Sequence, residues 1–111
     1  MNSVIATLKT LIDEAEHLGL PEVDLKHAIE FLEHHEYGLC FDQLVTQLYE
    51  FEILISEGFY RHVDEAAKQM HLPTESYIFI AQLINKALLF DFIYVVSILI
   101  TKYLPVSNIQ S

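Results

Sequence analysis

Apolar residues recur at helical spacing through most of this chain. Val4, Ile5, Leu8, Leu11, Ile12, Ala15 and Leu18 fall at i, i+3 and i+4 positions and predict a first helix. Ser3 is placed to cap it, Gly19 to stop it and Pro21 to open the next. A second helix is expected over 21–35, with Leu25, Ala28, Ile29 and Leu32 inside and Glu22, Lys26, Glu30 and Glu33 outside. Tyr37-Gly38 reads as a break before a third helix over 39–53. Its stripe is Cys40, Leu44, Leu48 and Phe51, widened by Phe41 and Val45, while Asp42, Tyr49, Glu50 and Ile53 lean the other way. Ser56 is expected to cap a fourth helix that turns Phe59, Val63, Ala66, Ala67 and Met70 inward. Leu72-Pro73 ends that helix, and Thr74 stands as the cap of a fifth carrying Tyr77, Ile80, Leu83 and Ile84.

Past Asn85 the period fades into a β-branched run, Ile93 to Val96, followed by Ile98, Leu99, Ile100 and Thr101. Periodicity cannot separate a buried helix from a strand there, but a lone strand has no partner in the sequence, so helix is the reading. Asp91 and Lys102 interrupt the apolar segment 87–104, which argues against a membrane span. A buried helix, a strand-like segment or a partner-covered surface fits it better. Residues 106–111 are expected to fray. The expected fold is therefore all-α: one domain over 1–111, a compact bundle of five or six antiparallel helices with short connections.

Charge changes the picture more than composition does. The chain has 16 acidic residues against 6 Lys and Arg, a net charge of −10. Between Asp13 and Glu65 nearly all of those acids are met only by Lys26 and Arg61. Because they interrupt helical patterns, they coat a folded surface and do not form a disordered tail. Such a field repels nucleic acid and steers basic proteins toward it. A single cysteine, Cys40, excludes an internal disulfide, and the N-terminal residues lack a basic n-region, so a reducing cytoplasm is the expected location.

Catalytic and metal chemistry find little here. His34-His35-Glu36 is the densest group of metal-ligating side chains, yet neighbouring helical residues diverge by about 100° and no HExxH or second cysteine completes a set. A histidine at a helix C-terminus is accounted for by the helix dipole, which covers His34 and His17. Glycine-rich phosphate loops and nucleophile elbows are absent from the sequence, and carboxylate pairs such as Glu30/Glu33 and Glu50/Glu52 lie on exposed faces. The expectation is a protein that is not an enzyme and needs no cofactor or metal. Tyr37, Tyr49 and Tyr60 beside Glu36, Glu50, Glu52 and Glu57 suit either an interface with an Arg- or Lys-rich partner or partial core packing.

The stretch from Ala28 to Tyr60 resembles the MafI family of bacterial immunity proteins. The resemblance rests on Glu33, His34, Glu36, Tyr37 and Gly38, then Leu44, Leu48, Tyr49 and Glu50, then Ile55 and Ser56. Ala66-Ala67, Met70 and Leu72 extend it to about Leu18–Ile84. His35 stands where that family commonly has glycine and Leu54 where it has proline, and the segment after Ile84 is longer and more apolar. The resemblance implies a cytoplasmic protein that binds and blocks the C-terminal domain of a secreted toxin, often a nuclease and in some cases an EndoU-like ribonuclease. A nuclease surface must be basic to hold phosphates, which agrees with the charge argument. The residues expected to contact the toxin are Glu30, Glu33, Glu36, Tyr37, Tyr49, Glu50, Glu52 and Glu57, with no direct nucleic-acid contact and no membrane span. The alternative is a helical adaptor, or a homodimer formed through the apolar segment 87–104.

Overall fold

Four amphipathic helices dominate the structure: α1 (Asn2–Leu18), α2 (Glu22–Glu33), α3 (Tyr37–Glu50) and α4 (Glu57–Gln69). The computed structural model describes residues 2–84 and 95–102. The α1 stripe packs against all three other helices, and α2 lies along α3. Leu8, Leu11, Ala15, Ala28, Leu44, Leu48, Val63 and Ala67 meet in one core with Cys40 and Phe41. Each such side chain contributes about 1.5–3 kcal/mol when fully buried, apart from the smaller alanines.

All four helices end the same way. Just past each helix end one N–H reaches back five positions in the Schellman pattern, as Leu20→Ala15, Glu36→Phe31, Ile53→Leu48 and Leu72→Ala67, at 2.8–3.0 Å. The residue before each of these N–H groups must take a positive φ. Gly19 does so without strain at +107°, but the other three are His35 (+60°), Glu52 (+50°) and His71 (+57°). A side chain in that left-handed region costs about 1–2 kcal/mol relative to glycine. The chain therefore reverses direction tightly after each helix.

These turns shift several expected boundaries. Helix α3 starts at Tyr37 and contains Gly38, so the break falls at His35-Glu36 and not at Tyr37-Gly38. It stops at Glu50, and the left-handed Glu52 swings the chain so that Ile53, not Phe51, returns to the core. Phe51 is left 53% exposed, outside the stripe expected for it. Ile29 is likewise exposed on α2. Ser3 lies inside α1, which begins at Asn2, and is not its cap. Ser56 does cap α4, its Oγ accepting from the Phe59 N–H at 2.9 Å.

The expected fifth α-helix is two short 3-10 segments instead, Thr74–Ser76 and Ile78–Leu83, and Thr74 lies within the first. The buried residues Tyr77, Ile80 and Leu83 are three apart, which matches three residues per turn and not 3.6. The segment then closes on the α3–α4 connection. The Ile55 N–H donates to the Leu83 carbonyl at 2.8 Å, and Ile55 and Ile84 form a single parallel bridge. No strand occurs among the described residues, and the fold is an all-α bundle.

Within the apolar segment 87–104, residues 95–102 are helical and Val95, Ile98, Leu99 and Ile100 are exposed. The rest of that segment, and residues 106–111, lie outside the described residues. Among the described residues no helix is long and apolar enough to cross a membrane.

Candidate protein-interaction surface

The connection after α2 brings Glu30, Glu33, Glu36 and Tyr37 to one end of α3, and the connection after α3 brings Tyr49, Glu50, Glu52 and Glu57 to the other. Tyr37 and Tyr49 are twelve positions apart on one helix, or about 18 Å at 1.5 Å per residue. The eight residues expected to form one contact face thus fall into two groups. All six glutamates are exposed, Tyr49 is exposed and Tyr37 half-buried.

The first end is chemically mixed. A depression of about 880 Å³ is lined by His35, Glu36, Tyr37, Gln69, Met70 and His71 together with apolar neighbours. His35 Nδ1 lies 3.0 Å from the Tyr37 hydroxyl, and their rings meet edge to face. Glu33 lines a second depression that also holds Lys9, Asp13 and His35. His34 closes the end of α2 here, donating from Nδ1 to the Glu30 carbonyl at 2.8 Å, as His17 does to the Asp13 carbonyl at the far end of α1. Imidazoles and an ammonium thus stand among the carboxylates at this end.

The groove at the second end is lined by carboxylate, amide and apolar groups, with no Lys, Arg or His among its lining residues. Segments 49–55 and 78–84 run side by side, joined by the Ile55–Leu83 hydrogen bond and by an edge-to-face contact of Tyr49 with Phe79 at 5.2 Å. Between them lies a depression of about 330 Å³ lined by Tyr49, Glu50, Glu52, Gln82 and Leu83. Phe51, Leu54 (57%) and Ile78 (51%) project from the same two segments into solvent. Sequence reasoning placed Phe51 in the core and gave Leu54 and Ile78 no role. The one available signal was that Phe51 is bracketed by Glu50 and Glu52, an arrangement that suits a surface better than a core.

Two polar arrangements brace the bundle beneath these ends. Asp24 is 95% buried, and its Oδ1 accepts from Gln47 Nε2 at 2.7 Å and Gln43 Nε2 at 3.4 Å, tying α2 to α3 (the exposure is 5%). The Tyr77 hydroxyl donates to Asp64, which also pairs with Lys68 at 2.9 Å. Those two hydrogen bonds, the Tyr77 one first, hold the Asp64 carboxyl below its usual range. The same Asp64 contact, and then burial, raise the Tyr77 hydroxyl. Tyr60 stacks at a tilt on Tyr77, so it packs partly inward.

Burial pushes the Cys40 thiol up to about 12, which keeps it from forming a nucleophilic thiolate near neutral pH. Among the described residues no three His, Cys, Asp or Glu side chains come together as metal ligands. Compared with known proteins, the chain matches no family model, no curated protein and no solved structure.

Proposed function

We propose that this chain is a cytoplasmic immunity protein that binds a cognate nuclease toxin one to one and covers the toxin's basic substrate groove. One observation carries the reading. Glu30, Glu33, Glu36, Glu50, Glu52 and Glu57 are exposed, and none is in an ion pair among the described residues, whose two pairs are His62–Glu14 and Lys68–Asp64. A surface with that much uncompensated charge lowers its own field by meeting a cationic protein. The resemblance of Leu18–Ile84 to MafI immunity proteins supports the same reading and supplies the class of partner. On this reading the chain performs no catalysis and takes no cofactor.

The test is protection. The C-terminal domain of the toxin encoded immediately upstream is assayed for RNA and DNA cleavage, and this chain is added in increasing amounts. Loss of cleavage at one equivalent is expected. Undiminished cleavage at a large excess, with no complex at low salt, removes the proposal.

A second reading has its own observation. The exposed Val95, Ile98, Leu99 and Ile100 in helical residues 95–102 form an apolar surface of the kind that marks association. An adaptor or homodimer formed through 87–104 predicts a sedimenting dimer that becomes a monomer when residues 87–111 are deleted. A monomer before deletion excludes the dimer.

A further inference from the structure

We infer that the docking site is the C-terminal end of α3, the groove between segments 49–55 and 78–83, and that its occupant is an amphipathic segment of a partner protein bearing aliphatic and arginine side chains. This rests on the acidic-binder reading above and specifies where on the molecule, and by what chemistry, that binding takes place.

Three observations lead there. First, the groove is lined by Tyr49, Glu50, Glu52, Gln82 and Leu83, and the two segments that flank it expose Phe51, Leu54 and Ile78, with Tyr49 packed edge to face on Phe79. Large side chains held in solvent at the end of a well-packed bundle gain free energy when covered, and aromatic ones most of all. Second, the polar groups among these apolar residues are Glu50 and Glu52, with Glu57 at the start of α4, and the chain has no Lys or Arg between Lys26 and Arg61. A second copy of this chain would bring carboxylate against carboxylate, whereas arginines flanking an aliphatic ridge would find a carboxylate beside each apolar contact. Third, Glu52 is held at φ +50°, a conformation that glycine would take without strain. Glu52 nevertheless stands there and lines the groove. The opposite end of α3 lacks this combination, because His35, His71 and Lys9 stand among its acids.

The experiment titrates the full chain, labelled with ¹⁵N, with a synthetic helical peptide of about 18 residues that presents leucines on one face and arginines along both flanks. Two control peptides replace the leucines by serine or the arginines by glutamate. Saturable one-to-one binding is expected, with amide shifts concentrated in residues 49–55 and 78–83 and no binding of either control. Phe51→Ser with Leu54→Ser should weaken binding about tenfold or more, and Glu50→Gln with Glu52→Gln about fivefold or more. All four side chains are exposed, so the fold is retained; circular dichroism checks this. Glu16→Gln with Glu65→Gln, two exposed acids given no part in binding, should leave binding within about twofold.

Amide shifts centred on residues 33–39, or equal binding of the serine control, overturn the inferred site while leaving an acidic binder of basic proteins intact. No binding by any arginine peptide overturns both. Shifts in the groove on simple concentration of the free chain, with a sedimenting dimer, also overturn the inference by making a second copy the occupant.

Discussion

The two ends of α3 carry three of the expected glutamates each, both beside apolar side chains, and differ in the basic groups among them. At the Tyr37 end, imidazoles of His35 and His71 and the ammonium of Lys9 share two depressions with Glu33 and Glu36. At the Glu50 end, Phe51, Leu54 and Ile78 stand exposed beside Glu50 and Glu52, and no cation joins them in the groove. Charge counted along the sequence treats these regions alike. What separates them is where each helix stops and which neighbours the next turn brings in. An acidic surface becomes selective for a partner when apolar area accompanies it, because covering that area rejects a merely basic polymer.

The contrast depends on one shared core, and the largest effect should come from breaking it. Phe41 is buried between the ends and packs edge to face on Tyr77. Phe41→Ala should destabilise by about 3–5 kcal/mol in urea unfolding. Hydrogen exchange should rise at both ends of α3 together. A rise confined to one end would mean that the two ends do not share a core.

The tie between α2 and the C-terminal half of α3 comes next. Gln47→Leu removes the 2.7 Å donor to the buried Asp24 and leaves Gln43 as its partner. A loss of about 1.5–3 kcal/mol is expected, and replacing Asp24 and Gln47 together by apolar residues should recover part of it. No loss on removing Gln47 alone would show that the buried carboxyl is satisfied without it.

Tyr77 supports the 78–83 wall of the groove, and its link to Asp64 gives a pH signature. Asp64 is held below the usual carboxyl range, so its contribution is present above about pH 4 and lost as pH falls through its folded value. Tyr77 is held above its usual range, so its contribution is present below about pH 10 and lost as pH rises through its folded value. Tyr77→Phe should cost about 1–2 kcal/mol at neutral pH and flatten the stability profile on both flanks. An unchanged acid flank would remove the hydroxyl's role in holding Asp64.

The smallest effects compare the strained turns directly. His35→Gly, Glu52→Gly and His71→Gly should each raise stability by up to about 1 kcal/mol in thermal unfolding, since glycine takes the positive φ without strain. Only Glu52→Gly should also weaken the arginine peptide, by about threefold or more. Equal weakening by the glycine at 35 would erase the distinction between the ends.

Much of the bundle was legible in the apolar periodicity. The inner stripes of α1 and α4, the Cys40-Leu44-Leu48 row of α3 and the Ser56 cap all follow from spacing and cap chemistry. The errors cluster where a turn carries no glycine. His35, Glu52 and His71 give no conformational signal in sequence, so the periodicity runs α2 and α3 past their true ends and places Phe51 inside. The 74–84 segment was misjudged for a related reason: a spacing of three between Tyr77, Ile80 and Leu83 lies too near 3.6 to distinguish over two turns. Asp24 could not have been expected inside, because its shelter depends on Gln43 and Gln47 arriving from another helix. For the surface, the carboxylates were legible one by one, but their division between two ends was not.

On the proposed function, exposed and uncompensated carboxylates make this chain a binder of a basic protein domain. The sharpest test is calorimetric titration of the proposed toxin partner's C-terminal domain into the full chain, repeated across a series of salt concentrations. The account predicts a one-to-one complex whose Kd rises steeply with salt, by about tenfold or more between 50 and 300 mM. An absent complex, or one whose affinity ignores salt, would contradict it.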